Sequence, residues 1–295
     1  MAGPSDVTVR EPAVAGLFYP DDSVACRAEA RKYLCAAQET GNANLKGAIV
    51  PHAGWICSGA VAGEAIATLA ESCRADVVVV FGAIHTRLET RAAAFDVHRR
   101  WRVPGGESQI AEEIQAKLLE ASGLFVVDER FHRREHAVEV ELPLIQLAWG
   151  EALLLPMEVP LAEQAVEMGR QTARQIEKTG VKAVYLASSD LTHYGVSYEF
   201  APAGLGMPGM QWEKDNDRRL LAIVTEFAAE RVVREVREHG NACGGGAIAA
   251  MLAACREIGA GEARVLRHTN SYETLAAVAP QRPDNAVGYA GVIVA

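Results

Sequence analysis

At 295 residues, 49% of them hydrophobic, the chain is long enough to bury a sizeable core, and its formal net charge of −9 argues against nucleic acid as a main partner. No apolar run reaches the length of a membrane span, and the start MAGPSDVTVREPAVAG has neither the basic head nor the apolar centre of a signal peptide. Six cysteines, at 26, 35, 57, 73, 243 and 255, form no CxxC pair and suit a reducing compartment, so the expectation is a cytoplasmic protein with no nucleic-acid or membrane partner.

Arg10–Pro20, with two prolines and a glycine, reads as an extended arm. Asp21 and Asp22 can cap a helix whose Val24, Arg27, Ala28, Arg31 and Leu34 fall at helical intervals. Gly47–Val50 is a short buried strand that Pro51 ends, because proline has no N–H for a ladder. His52 follows, then a small-residue helix from about Ser58 to Cys73. Asp76–Gly82 is a β-branched run of the kind buried on both faces of a parallel sheet, and His85 stands in the turn after it.

Ala92–Val97 is a further strand candidate, Val103–Glu107 a loop, Ser108–Ser122 a helix and Leu124–Val127 a short strand. Glu135–Trp149 starts as a helix that Pro143 should break or kink. A strand at Ala152–Met157, a helix at Leu161–Lys178 and a strand at Lys182–Ser188 lead into Ser189, Asp190 and His193. Phe200–Met210, rich in Gly and Pro, is either a lid or a plain surface loop. Helices at 212–226 and 230–238 come next, followed by Asn241–Gly246, a small-residue helix to about Cys255, and strands at Ala263–His268 and Ala286–Val294. Strands and helices alternate without a linker or repeat. The pattern predicts a single α/β domain over residues 1–295, with a central, largely parallel or mixed sheet flanked by helices.

Three strand-like runs therefore end in turns that carry histidine. If those strands are parallel, all three turns open on one edge of the sheet, where open α/β folds place their ligands. Cys243 precedes three glycines at a helix start, where exposed N–H groups favour a thiolate; its other reading is a small buried residue in a Gly-rich turn. The triple glycine lacks the Lys and Ser/Thr of a P-loop. His132–His136, HRREH, matches the H-x-x-E-H pattern of inverted zinc peptidases, with Glu135 as base if the segment is helical. Ser188 or Ser189 with Asp190 and His193 hints at a serine nucleophile, but no G-x-S-x-G elbow accompanies them.

The chain resembles the MEMO family, whose bacterial and archaeal members are called AmmeMemoRadiSam system protein B. The resemblance is carried in order by AGLFYP at Ala15–Pro20, PHAGWICSG at Pro51–Gly59, GAIHT at Gly82–Thr86, EHAVEVELP at Glu135–Pro143, ASSDLTHYG at Ala187–Gly195, Cys243-Gly244 and VGYA at Val287–Ala290. It implies a fold similar to class III extradiol dioxygenases, which open catechol rings with non-haem Fe(II). It further implies a pocket in which His52, His85 and Cys243 hold a metal, with Asp190 and His193 beside it. It places HRREH outside the metal site. The dioxygenases use a carboxylate where this family has cysteine, and a thiolate favours Fe(II), Cu(I) or Zn(II). Trp55, Cys57 and the Ala83-Ile84 pair depart from the family's usual residues and reshape the pocket wall.

The resulting expectation is a metal-binding protein with Fe(II) favoured and Cu(I) or Zn(II) as alternatives. If it is an enzyme, it is a metal-dependent, dioxygenase-like oxidoreductase on a small or aromatic molecule, with His193 moving a proton and Asp190 orienting it. Two rivals remain: a non-catalytic protein that uses the pocket for a metal or peptide, and a metal-free cysteine hydrolase with Cys243 as nucleophile and His193 as base. The sequence does not name the substrate or the oligomeric state.

Overall fold

The computed structural model describes residues 8–39 and 44–295, so the first residues of the start read above lie outside it. In chain order the first half comprises β1 (Val9–Arg10), α1 (Ser23–Leu34), β2 (Gly47–Val50), α2 (Trp55–Ser72), β3 (Val77–Gly82), β4 (Ala93–Phe95), β5 (Arg100–Val103), β6 (Gly106–Gln109), α3 (Glu112–Ala121), β7 (Phe125–Val127) and α4 (Leu142–Trp149). The second half comprises β8 (Leu153–Glu158), α5 (Ala165–Glu177), β9 (Ala183–Ser188), β10 (His193–Gly195), α6 (Met207–Thr225), α7 (Ala229–His239), α8 (Gly245–Glu257), β11 (Ala263–Asn270), α9 (Ser271–Ala276) and β12 (Asn285–Val294).

Among the described residues a nine-stranded mixed sheet runs β10-β12-β2-β9-β3-β8-β4-β7, with β11 also on β12. Its centre, β2-β9-β3-β8, is parallel, and β12 joins it antiparallel to β2. A period of two divides each central strand between two cores. Val77, Val79 and Phe81 pack with residues of α5, α7 and α8, whereas Val78 and Val80 pack with residues of α2 and α4. The continuous apolar runs of these strands follow from burial on both faces. Helix α8 fits close because its residues are small: a Cβ on Gly169 of α5 would come within 1.9 Å of Ala250 O. A separate three-stranded sheet, β1-β5-β6, carries the N-terminal arm.

The expected α/β class, with a mixed sheet between helices, is the observed one. Local boundaries differ for identifiable reasons. Residues 135–138 are not helical, and Pro143 stands in the first turn of α4 instead of breaking a helix, because the first N–H groups have no intrahelical acceptor to lose. By the same logic Pro208 sits in the first turn of α6, so Met207–Met210 of the predicted loop are helical. Ser108 pairs in β6 and leaves α3 to begin at Glu112. Of the predicted loop 103–107 only Pro104 and Gly105 form the turn between β5 and β6, with Gly105 at φ 98°, while Val103 pairs with Gly106 and Arg102 with Glu107.

Candidate metal centre

Strands β2, β9 and β3 are adjacent and parallel, so their carboxyl ends share one edge. That edge holds His52 two residues beyond β2, Asp190 two beyond β9 and His85 three beyond β3. The sequence expectation about the three turns is met in geometry. Cys243 reaches the same point from the loop before α8, where its backbone N–H donates to Asp190 O at 3.2 Å. Cys243 Sγ lies 3.3 Å from His52 Nε2, and one ligand atom from each of His52, His85 and Cys243 falls within 4.8 Å of the others.

Each imidazole is aimed by a partner on its far nitrogen. His52 Nδ1 lies 2.8 Å from Ser188 Oγ, and Ser188 itself donates to Ala137 O at 2.5 Å. His85 Nδ1 lies 2.8 Å from Glu135 Oε1, while its backbone N–H donates to Glu135 Oε2 at 2.7 Å. In both rings the Nδ1 contact leaves Nε2 for a ligand, which is how second partners orient metal-bound histidines. Asp190 Oδ1 accepts the His52 backbone N–H at 2.9 Å and thereby fixes the turn.

The charges follow from burial and neighbours. Burial keeps His52 well below its ordinary pKa, and the nearby His136 and His85 push the same way. Burial would depress His85 too, but Cys243 and Glu135 outweigh it and lift His85 to about 11. Burial also pushes the Cys243 thiol up. A thiol cannot support an imidazolium as a thiolate would, so Glu135 is the partner that sustains the upward direction at His85. Burial likewise works against Glu135, yet hydrogen bonds from His136 and His85 hold its carboxyl well below the usual range. The Cys243 thiol thus stands above its ordinary pKa and not below it, as the helix start had suggested. Desolvation is the larger effect, and metal binding is what would release that proton.

The HRREH segment is not a helix, so the inverted-peptidase geometry is absent, and its two histidines part company. His132 is buried with Nε2 2.9 Å from Ala94 O and its ring against Trp101. His136 stacks on His85, with centroids 4.5 Å apart, and lies edge-on to His52 at 5.2 Å. His85, Glu135 and His136 form a second cluster of ligand-type atoms within 4.8 Å. Glu135 there already accepts from His85 N–H, His136 N–H at 2.8 Å and Ala137 N–H at 3.2 Å, besides facing the His85 ring. In the first cluster the ligand atoms face one another, with only weak sulfur contacts to Asp190 O and Ser189 Oγ besides, and it fits an ion better. Tetrahedral N and S ligands at zinc-like distances stand about 3.3–3.6 Å apart, close to the observed His52–Cys243 separation.

His193 begins β10, its Nε2 4.0 Å from Asp190 Oδ2, buried and without a hydrogen-bond partner among the described residues. Burial, with His85 and His136 nearby, lowers its pKa to about 4, while burial raises Asp190 to about 6. The imidazoles that face Cys243 are those of His52 and His85.

The chain matches known proteins over nearly its whole length. The Memo-like protein family model matches residues 10–293. The chain belongs to the Memo family. Among Memo-family relatives, a MEMO1 family protein of Methanococcoides burtonii is 35% identical, covering 97% of this chain and 100% of its own. One from Methanosarcina mazei is 32% identical and one from Pyrococcus horikoshii 28%, each covering 97% of this chain and 99% of its own. In fold, the chain is similar to an uncharacterized protein, JW3007, from Escherichia coli K12. The TM-score is 0.51 at 12% identity, over 85% of this chain and all of the other.

Sequence reasoning missed several residues of this candidate site. Glu135 stood out only as a peptidase base, yet it clamps His85 from 50 positions away. Tyr198 packs its ring 5.0 Å from His193, and no local pattern marks it. Asp217 Oδ1 accepts the Thr192 N–H at 2.9 Å and Asp217 Oδ2 faces His268 at the same distance, which fixes the loop between Asp190 and His193 from behind. No described helix is long and apolar enough to cross a membrane. All six cysteines are free thiols.

Proposed function

We propose that the protein is a metal-dependent oxidoreductase acting on a small aromatic molecule, with His52, His85 and Cys243 as the ligands and Fe(II) as the favoured ion over Cu(I) or Zn(II). The observation that carries this reading is the convergence of one thiol and two imidazoles whose second nitrogens are already engaged. Two imidazoles and a thiolate are a donor set for a borderline or soft transition ion. When bound, such an ion supplies Lewis acidity and open positions for substrate oxygen and O₂.

The chain's own residues do the rest. Ser188 and Glu135 fix the two rings. His193, neutral at pH 7 because of burial, accepts a substrate hydroxyl proton at its unpartnered Nε2. Asp190 holds the His52 turn and faces the proton that His193 receives. Tyr198 covers the His193 ring and offers a flat face to an aromatic substrate. Oxygen uptake by Fe(II)-loaded protein with a panel of catechols tests the reading. Consumption that falls about 10²–10⁴-fold in His193→Ala, with metal retained, is expected for loss of a general base. Loaded protein that consumes no oxygen with any catechol contradicts the oxidoreductase assignment and leaves the binding role.

A further inference from the structure

The loop that carries Cys243, residues 240–244, is short and has Gly240 and Gly244 at its ends, so little in its own sequence sets where the sulfur lies. One end is tied directly to the loop of Asp190 and His193. There Cys243 N–H donates to Asp190 O at 3.2 Å and Gly244 N–H to Ser189 Oγ at 2.9 Å. The other end is tied through α6. Asn216 is buried, and its side-chain nitrogen donates both to Thr192 Oγ1 at 3.1 Å and to His239 O at 3.0 Å. Its backbone carbonyl accepts from Asn241 Nδ2 at 3.1 Å, two residues before Cys243. Thr192 is itself fixed: its N–H donates to Asp217 Oδ1 at 2.9 Å, and its carbonyl accepts from Gly288 N–H at 3.0 Å. Asn216 therefore holds the cysteine loop from an immobile point on the other loop. Only a primary amide suits this place, because its two N–H groups serve a hydroxyl and a carbonyl at once. A carboxylate of the same shape only accepts, and cannot bond His239 O.

We propose that Asn216 is a positioning residue of the metal centre that acts through Cys243: it locks the loop bearing the thiol to the loop bearing Asp190 and His193, and so holds the sulfur against the two imidazoles. The inference rests on the reading of His52, His85 and Cys243 as metal ligands given above. A ligand atom has to be kept within about 0.5 Å of its bonding position by groups that do not touch the ion. His52 and His85 have Ser188 and Glu135 on their far nitrogens for this purpose. A cysteine has no second ring atom to grip, so it is aimed through its backbone. The contacts of Sγ with Asp190 O at 3.6 Å and Ser189 Oγ at 3.8 Å are too long to do it. Asn216 gives the sulfur what Ser188 and Glu135 give the imidazoles.

Cobalt(II) titration of the metal-free protein against a metallochromic chelator tests it, in the wild type, Asn216→Ala, Cys243→Ser and the double variant. The wild type is expected to bind cobalt with a sulfur-to-cobalt charge-transfer band. Asn216→Ala should lose about 10–100-fold in affinity, the usual effect of a group behind a ligand, and part of the band. In the Cys243→Ser background the same substitution should cost less than about twofold, because the residue it acts through is gone. Equal losses in the two backgrounds would mark general loosening and overturn the proposal. So would a folded Asn216→Ala protein with unchanged affinity and band. Both results leave the metal-centre reading standing. If Asn216→Ala does not fold, Asn216→Asp, which keeps the shape and offers no N–H, takes its place in the same comparison. A wild type without cobalt binding, or without the sulfur band, sinks the metal-centre reading and this proposal with it.

Discussion

Two polar clusters, one buried and one partly exposed, lie at the two ends of one short segment, and they differ in what their atoms have left to do. Around His132, the Arg10 guanidinium donates to Glu139 at 2.6 Å and to the His132 and Glu135 carbonyls. Glu139 in turn accepts from Ala13 N–H, Val14 N–H and the Tyr19 hydroxyl. Arg10 also stacks 4.2 Å over Trp101. This cluster is closed, and its work is to pin the N-terminal arm to the body. Around His136 the rings of His52 and His85 converge with Cys243, and their facing atoms meet mainly one another, the one backbone partner being Asp190 O, 3.6 Å from Cys243 Sγ. Residue types alone do not separate scaffold from site. Whether the hydrogen-bonding capacity is already spent does.

The comparison predicts opposite responses to substitution. Glu139→Ala leaves Arg10 buried and unpaired, and should cost about 3–5 kcal/mol in urea unfolding. A loss under 1 kcal/mol would show that the closed cluster is not what holds the arm. Cys243→Ser should change unfolding little and instead reduce metal affinity by more than about 100-fold, beyond the usual effect of an outer partner. Cys57→Ser, although nearer His52 in sequence, should leave metal affinity unchanged, and equal losses in the two variants would erase the distinction. Glu135→Gln sits between the regions. It keeps the shape but weakens the hold on His85 Nδ1, so metal affinity should fall about 10–100-fold with the fold intact.

A third cluster sharpens the contrast through its pH dependence. Burial and then the adjacent Asp217 push the Glu213 carboxyl up to about 9. Folded protein therefore keeps a proton that the unfolded chain releases near pH 4.5, and stability should fall as pH rises from about 5 to 9. The slope from one proton is at most about 1.4 kcal/mol per pH unit. Glu213→Gln should flatten it, and an unchanged pH profile of chemical unfolding would remove Glu213 from the explanation.

Much of this was legible in the sequence, and the reasons are local. The runs at Gly47–Val50, Asp76–Gly82 and Lys182–Ser188 announce strands buried on both faces, and a residue just past such a strand has few places to go but the ligand edge. That logic located His52, His85 and the Asp190–His193 turn. Cys243 was visible through the glycines that let its loop approach Ser189: a Cβ on Gly244 would come within 2.7 Å of the Ser189 Cβ. What stayed hidden depends on distant partners. The role of Glu135 needs His85, 50 residues away, and that of Asp217 needs Thr192, 25 away. Pro143 and Pro208 misled because proline marks either the end of a helix or its first turn, and the choice is set by tertiary packing.

The central claim is that the open cluster holds an ion through sulfur. Metal analysis with X-ray absorption on protein purified without oxygen or chelators tests it most directly. One ion per chain is predicted, with a sulfur neighbour at about 2.3 Å and nitrogen neighbours at about 2.0–2.1 Å. The sulfur signal should disappear in Cys243→Ser. Protein that binds no ion, or an ion whose neighbours are only nitrogen and oxygen in the wild type, would contradict it.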